Sequence, residues 1–97
     1  MKIWVDDLRT PPDDTWEWYK ASTPVIELMS HLSNNWVDIT ERIEVMSLDH
    51  DLGDEDTTRG IVLWCCYHNE WPAEMRVHSA NPVGVEWLEG MIERYKT

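Results

Sequence analysis

The stretch IEVMSLDHD, residues 43–51, decides the fold of this 97-residue chain. Its first six residues, Ile43–Leu48, are mostly apolar and have the length of a β-strand. They predict a strand that is covered on both faces, as is typical of parallel sheets flanked by helices. The run stops at Asp49-His50-Asp51, where polar residues begin a loop. This stretch therefore predicts an α/β domain.

Short strands and amphipathic helices alternate in both directions from this stretch. The predicted elements are a strand at Lys2–Val5, a strand at Trp16–Lys20, a helix from Thr23 to about Asn35, the strand at Ile43–Leu48, a helix from Thr57 or Thr58 to about Asn69, a strand at Met75–His78 and a helix from Asn81 onward. Thr23-Pro24 and Asn81-Pro82 each combine an N-cap side chain with Pro at the first helical position. No linker or repeat interrupts the pattern, so we expect a single domain over residues 1–97.

The charge balance limits the partners of the protein. Nineteen Asp and Glu against eight Lys and Arg give a net charge of −11. Such a surface repels the phosphate backbone of long nucleic acids, which excludes a sequence-reading DNA or RNA binder. A small phosphorylated ligand, a nucleotide or a basic partner stays open.

Neither a membrane nor an oxidising compartment is expected. The longest apolar run, Ile61–Tyr67, is too short to cross a bilayer, and no signal peptide is predicted at the amino terminus. Adjacent Cys65 and Cys66 match neither a redox motif nor a zinc site. We expect them to pack in the core of a cytoplasmic protein.

Three predicted strands end in polar, titratable residues. The residues that follow them are Asp6-Asp7 with Arg9 close behind, Asp49-His50-Asp51, and His78-Ser79-Ala80-Asn81. Each set has a simpler structural interpretation, because Asp forms turns and Asn caps helices. In parallel α/β sheets, however, ligands bind at the carboxyl ends of the strands. Three such ends at one edge therefore predict a functional site, whereas His31 and His68, on helices, are expected to be structural.

The same stretches resemble the signature of a known family. Asp6-Asp7-Leu8-Arg9 followed by Pro11-Pro12, the LDHDLG of Leu48–Gly53 and the HSANPVG of His78–Gly84 are similar to cyclic-phosphate processing receiver-like domains of bacteria and phages. The resemblance covers nearly the whole chain. It implies a small receiver-like (flavodoxin-like) three-layer sandwich with four parallel strands in the order 2-1-3-4 and three main helices. It also implies an activity on cyclic phosphates, in RNA repair or conflict systems.

A cyclic-phosphate hydrolase needs a base, an acid and groups that stabilise negative charge. His50 and His78 are the candidate base and acid, with Asp49 as a flanking carboxylate of the catalytic set. The candidate phosphate-binding residues are Arg9, with its bidentate fork, Ser79, and Asn81 at a helix N-terminus.

A metal offers a competing mechanism at the same edge. The candidate ligands are Asp6, Asp7, Asp49 and Asp51, whose carboxylates favour Mg²⁺ or Mn²⁺. A receiver-like site would use the first three, and with His50 and His78 added a transition metal becomes a further alternative.

Two other functions remain open. In a phospho-accepting receiver Asp49 would take a phosphoryl group, but no lysine follows a later strand, and the chain is one strand and one helix short. A non-catalytic protein would sequester a small cyclic nucleotide or act as an acidic decoy for a basic protein. Trp16, Trp18 and Trp36 offer rings for stacking a base, although we expect each to pack in the core.

Overall fold

One sheet of four parallel strands organises the protein, whose computed structural model describes residues 1–96. The strands are β1 (Lys2–Val5), β2 (Trp16–Tyr19), β3 (Val45–Leu48) and β4 (Glu74–Val77). The helices are α1 (Ser22–Asn34), α2 (Ile39–Arg42), α3 (Arg59–His68) and α4 (Pro82–Tyr95). The strand order is β2-β1-β3-β4 and every pairing is parallel, which confirms the predicted α/β receiver-like fold.

The main core lies on one face of the sheet. Alternate residues of β1 and β3 point to this face, and buried side chains of all four helices join them in one cluster. The sheet residues of this cluster are Ile3, Val5, Met46 and Leu48. The β2–α1–β3 and β3–α3–β4 crossovers run in the same direction across the sheet, so right-handed connections place α1 and α3 on the same face.

The opposite face carries aromatic side chains where a third layer of helices was expected. Trp4 packs edge-on against Trp16, with 5.6 Å between ring centroids, and Lys2 lies over the Trp16 ring. The loop between β1 and β2 joins them, since Trp4 Nε1 donates to the Arg9 carbonyl at 2.8 Å. Because this connection contains no helix, Trp rings and a loop form the outer layer of the predicted three-layer sandwich.

Helix α1 begins one residue before the predicted Thr23 cap. Its first residue is Ser22, and Ala21 stands at the N-cap without a capping side chain. The missing acceptor comes from a distant loop, where Asp56 accepts bonds from the Ser22 amide and hydroxyl at 2.9 and 2.5 Å. Asp56, in the loop before α3, therefore supplies the side-chain acceptor for the first residue of α1.

Other elements also differ in their bounds from the sequence prediction. Helix α2 was not predicted, and β3 begins at Val45 because the preceding residues form this turn. Of the two predicted caps of α3, the Thr58 hydroxyl instead donates to the Asp49 carbonyl at 2.6 Å, whereas the Thr57 hydroxyl accepts from the Arg59 amide at 3.3 Å. Helix α3 ends before Asn69, which adopts a left-handed conformation with φ 52°, and β4 spans Glu74–Val77, one residue earlier than predicted.

Several residue-level predictions are also tested. The start of α4 is confirmed, because Asn81 Oδ1 accepts from the Gly84 amide and Pro82 is the first helical residue. The core position predicted for Trp36 is wrong: its side chain is 97% exposed. Cys65 is buried, which raises its pKa to about 12, while Cys66 is only half-buried. In the described residues, no helix is long and apolar enough to cross a membrane.

Candidate functional site

The three predicted strand ends meet at the carboxyl edge of the sheet. Val5 pairs with Leu48, and Leu48 pairs with Val77, so the residues that follow these three stand side by side. Backbone bonds continue the strand ladder by one step. The amides of Asp6, Asp49 and His78 donate to the carbonyls of Tyr19, Val5 and Leu48 at 3.0, 2.9 and 2.9 Å. The sheet thus fixes the backbone positions of Asp6, Asp49 and His78, one residue from each of the three polar stretches.

Asp6 is the buried carboxylate of this edge, only 1% exposed. Its Oδ1 accepts from the backbone amides of Leu8 and Arg9 at 2.9 and 2.8 Å, and its Oδ2 accepts from His78 Nε2 at 3.0 Å. Burial acts to raise the pKa of Asp6, but the bonds from Arg9, Leu8 and His78 outweigh it and hold the pKa below its usual value. Asp6 is therefore a fixed negative charge.

His78 lies between Asp6 and the buried strand residue Ser47. Its Nδ1 is 2.7 Å from Ser47 Oγ, and its ring stacks on Trp4 with 3.8 Å between centroids and 6° between planes. Burial lowers the pKa of His78 and outweighs the opposing effect of Asp6. The resting ring is therefore neutral, with Nε2 donating to Asp6 and Nδ1 accepting from Ser47.

Three carboxylates converge beside His78. Asp6, Asp7 and Asp49 each offer an oxygen, and these oxygens all lie within 4.8 Å of one another. Gly53 has φ 78°, and a Cβ there would come within 3.2 Å of Asp7 Oδ2, so the loop approaches this carboxylate closely. The spacing and the hard oxygen donors fit a small divalent cation such as Mg²⁺ or Mn²⁺. These three residues are called the acidic cluster below.

The fourth predicted ligand, Asp51, is not part of the acidic cluster. Its Oδ1 lies 3.1 Å from His50 Nδ1, and its Oδ2 accepts from Asn81 Nδ2 at 2.9 Å. The bonds from Asn81 and His50 lower the pKa of Asp51. Asp51 thus links two other predicted site residues.

His50 is buried among residues of α3 and α4. Its Nε2 accepts from Arg59 Nε at 2.9 Å, so the ring proton is on Nδ1, which donates to Asp51. Gly84 of α4 is the residue that leaves room for the ring, because a Cβ there would lie 2.4 Å from His50 Cγ. His50 therefore has partners different from those of His78, although both residues follow strands at the same edge.

The predicted phosphate-binding residues surround the start of α4. The Asn81 side chain caps α4 through its Oδ1 and donates from its Nδ2 to Asp51. Its backbone amide donates to Ser79 Oγ at 3.1 Å. Arg9 Nη1 donates to the His78 carbonyl at 2.9 Å, which holds this exposed guanidinium close to the carboxyl end of β4. These three residues are therefore placed around the end of β4, beside His78.

Sequence reasoning missed three residues that hold the two histidines. Ser47 and Trp4 orient His78, and Arg59 orients His50. Ser47 carried a signal, as the one hydroxyl residue in the otherwise apolar run Val45–Leu48. Trp4 and Arg59 carried none, because their contacts depend on how the loop after β1 and the helices pack.

Comparison with known proteins agrees with this edge geometry. A family model described as "Cyclic-phosphate processing Receiver domain" matches residues 1–94. Searches of curated proteins and of solved structures give no match. The matched residues include the acidic cluster, His50 and His78, and the start of α4. A match over nearly the whole length, on four parallel strands in the receiver-like order, shows that the chain belongs to the cyclic-phosphate processing receiver domain family.

Proposed function

We propose that the protein binds a cyclic phosphate at the carboxyl edge of the sheet and hydrolyses it to a phosphomonoester. The observation that carries this proposal is the acidic cluster, with its oxygens within 4.8 Å of one another, next to the Asp6–His78 pair. Receiver-like sheets bind ligands at this edge, and membership of the family supports cyclic phosphates as the class of ligand.

A divalent cation is part of the proposal. Three carboxylates at this spacing repel a phosphate, and Arg9 alone does not balance them. Asp6, Asp7 and Asp49 would hold the ion. When bound, it supplies positive charge that attracts the phosphate and polarises its oxygens.

The protein's own groups carry the protons and the substrate. A water oxygen attacks phosphorus, one ring P–O bond breaks, and the leaving oxygen gains a proton. We assign the base to His78, whose Nδ1 exchanges its bond to Ser47 for the attacking water while Asp6 stabilises the imidazolium. We assign the acid to His50 in its imidazolium form: Nε2 takes up a proton in place of the bond from Arg59, and Nδ1, held by Asp51 at rest, gives its proton to the leaving oxygen, which returns the ring to its neutral form.

Substrate positioning is assigned to the groups around the start of α4. Arg9 uses one of its five N–H groups on the His78 carbonyl, and the others suit two phosphate oxygens. Ser79 and Asn81 stand at the N-terminus of α4, whose dipole favours an anion.

The test is a panel of cyclic phosphates incubated with the protein, with and without EDTA, and followed by phosphorus NMR. We expect conversion to a monoester that EDTA abolishes. His78→Ala and His50→Ala should each lower kcat by roughly 100-fold, the usual contribution of a positioned acid or base. His31→Ala and His68→Ala, on exposed positions of α1 and α3, are the matched controls. Equal rates for all four variants would refute the assignment.

A second candidate function is supported by one specific observation. Both ring nitrogens of His50 and of His78 already have protein partners, so neither ring has a free nitrogen in the resting structure. Such rings suit a protein that sequesters a cyclic phosphate without cleaving it. Stoichiometric binding in equilibrium dialysis, with unchanged ligand in the phosphorus spectrum, would favour this alternative over hydrolysis.

A further inference from the structure

A groove of about 540 Å³ runs along α4, outside the acidic cluster. Its apolar lining comes from Val83, Trp87 and Met91, which follow one another at intervals of four residues and share one face of the helix. Val83 is 68% exposed and stands in the first turn of α4, beside the Asn81 cap. The groove therefore begins next to the proposed phosphate site.

The fold gives no packing reason for Gly90, the glycine that lines this groove. Gly84 is needed because His50 fills the space where its side chain would be. At Gly90, by contrast, a Cβ would meet no heavy atom within 4 Å. Glycine destabilises the interior of a helix relative to alanine, so Gly90 has a cost that packing does not explain. The effect of the missing side chain is to keep the groove open.

The groove is cationic in a protein of net charge −11. Arg59 and Arg94, two of the eight basic residues of the chain, line it, and the Arg59 guanidinium carbon lies 4.7 Å from the Trp87 ring. Arg59 also donates to His50 Nε2 at 2.9 Å. One side chain thus connects the groove to the carboxyl edge of the sheet.

We infer that this groove binds the nucleobase of a nucleoside cyclic phosphate whose phosphate is held at the acidic cluster; the inference rests on the proposed function. A flat nucleobase of any kind stacks on indole and guanidinium groups, because every base has an aromatic face. Arg59, which also contacts His50, attracts the anion, and Glu86, which also lines the groove, accepts bonds from exocyclic amino groups. The volume lies within the range of small-molecule sites.

The test compares a ligand with a base and a ligand without one. Adenosine 2′,3′-cyclic phosphate and glycerol 1,2-cyclic phosphate are each titrated by calorimetry in the presence of Mg²⁺ into protein that carries His78→Ala, so that neither compound is consumed during the titration. We expect the nucleoside compound to bind roughly tenfold more tightly or better, from the stacking of one base. Gly90→Leu fills the groove and should remove this preference. Glu89→Leu places the same side chain at the adjacent exposed position of α4 and should keep it.

The outcomes separate this inference from the proposed function. Equal affinities for the two compounds, or a preference that survives in Gly90→Leu, would overturn the nucleobase site even if both compounds are hydrolysed. A preference that Gly90→Leu abolishes, without conversion of either compound, would support the nucleobase site and refute hydrolysis. Gly90→Ala, which adds only a methyl group, should keep most of the preference, and circular dichroism spectra of all variants should show the native helix content.

Discussion

Replacing Gly84 by alanine tests how tightly α4 closes over His50. The new methyl would lie 2.4 Å from His50 Cγ and 2.7 Å from both Cβ and Cδ2, so the ring or the helix must move. Ring movement breaks a bond to Arg59 or Asp51. Overpacking costs about 2 kcal/mol and the lost bond roughly 1, whereas the helix gains about 1 from alanine. We expect a net loss of about 2 kcal/mol.

Thermal unfolding followed by circular dichroism measures this loss directly. For a domain of this size, a loss of about 2 kcal/mol lowers Tm by roughly 10 °C. Gly90→Ala is the matched control, because the same change on the same helix meets no atom within 4 Å. It should raise the free energy of unfolding by about 0.5–1 kcal/mol. A Gly84→Ala protein as stable as Gly90→Ala would refute the packing described for His50.

Three further predictions concern the cation, pH and a helix cap. Mg²⁺ or Mn²⁺ should raise Tm by mass action in the wild type but not in Asp49→Asn; an unchanged Tm in the wild type with both ions would contradict a cation site in the acidic cluster. Because the pKa of His78 is lowered in the folded state, the unfolded chain binds this proton more tightly. The free energy of unfolding should therefore rise as pH increases from the folded pKa to about 6.5, and urea titrations of His78→Gln should lack this contribution. Asp56→Ala should lower the free energy of unfolding by about 1 kcal/mol, because the bonds to Ser22 are lost. Asp54→Asn, at an exposed position, is the control and should leave the free energy of unfolding near that of the wild type. Equal urea midpoints for the two variants would contradict the capping role of Asp56.

The strand order and the meeting of three motifs at one edge were predictable from the sequence. The strand order followed from strand–helix alternation and from the resemblance to the receiver-like family. The meeting of the motifs depends on local signals: short apolar runs, polar residues after them, and Asn81-Pro82 at a helix start. The prediction followed because parallel pairing brings the carboxyl ends of β1, β3 and β4 to the same edge.

Side-chain partners were not predictable in the same way. Asp56 caps α1 from 34 residues away, and Arg59 reaches His50 only because α3 begins beside it. All four predicted metal ligands are aspartates close after a predicted strand. Asp6, Asp7 and Asp49 form the acidic cluster, however, whereas Asp51 bonds to His50 and Asn81. Ring and carboxylate orientations depend on helix packing, which leaves little trace in residue spacing.

The backbone bonds that extend the ladder by one residue have a consequence for motion at the site. The amides of Asp6, Asp49 and His78 belong to the sheet, so their hydrogens should exchange with solvent only when the whole domain unfolds. Asp7 and Gly53 lie on loops beyond the ladder, where opening costs less. The site therefore combines rigid residues at the strand ends with more mobile loop residues around them. A ligand that orders the loops should slow amide exchange in the loops without changing the exchange of the amides of Asp6, Asp49 and His78.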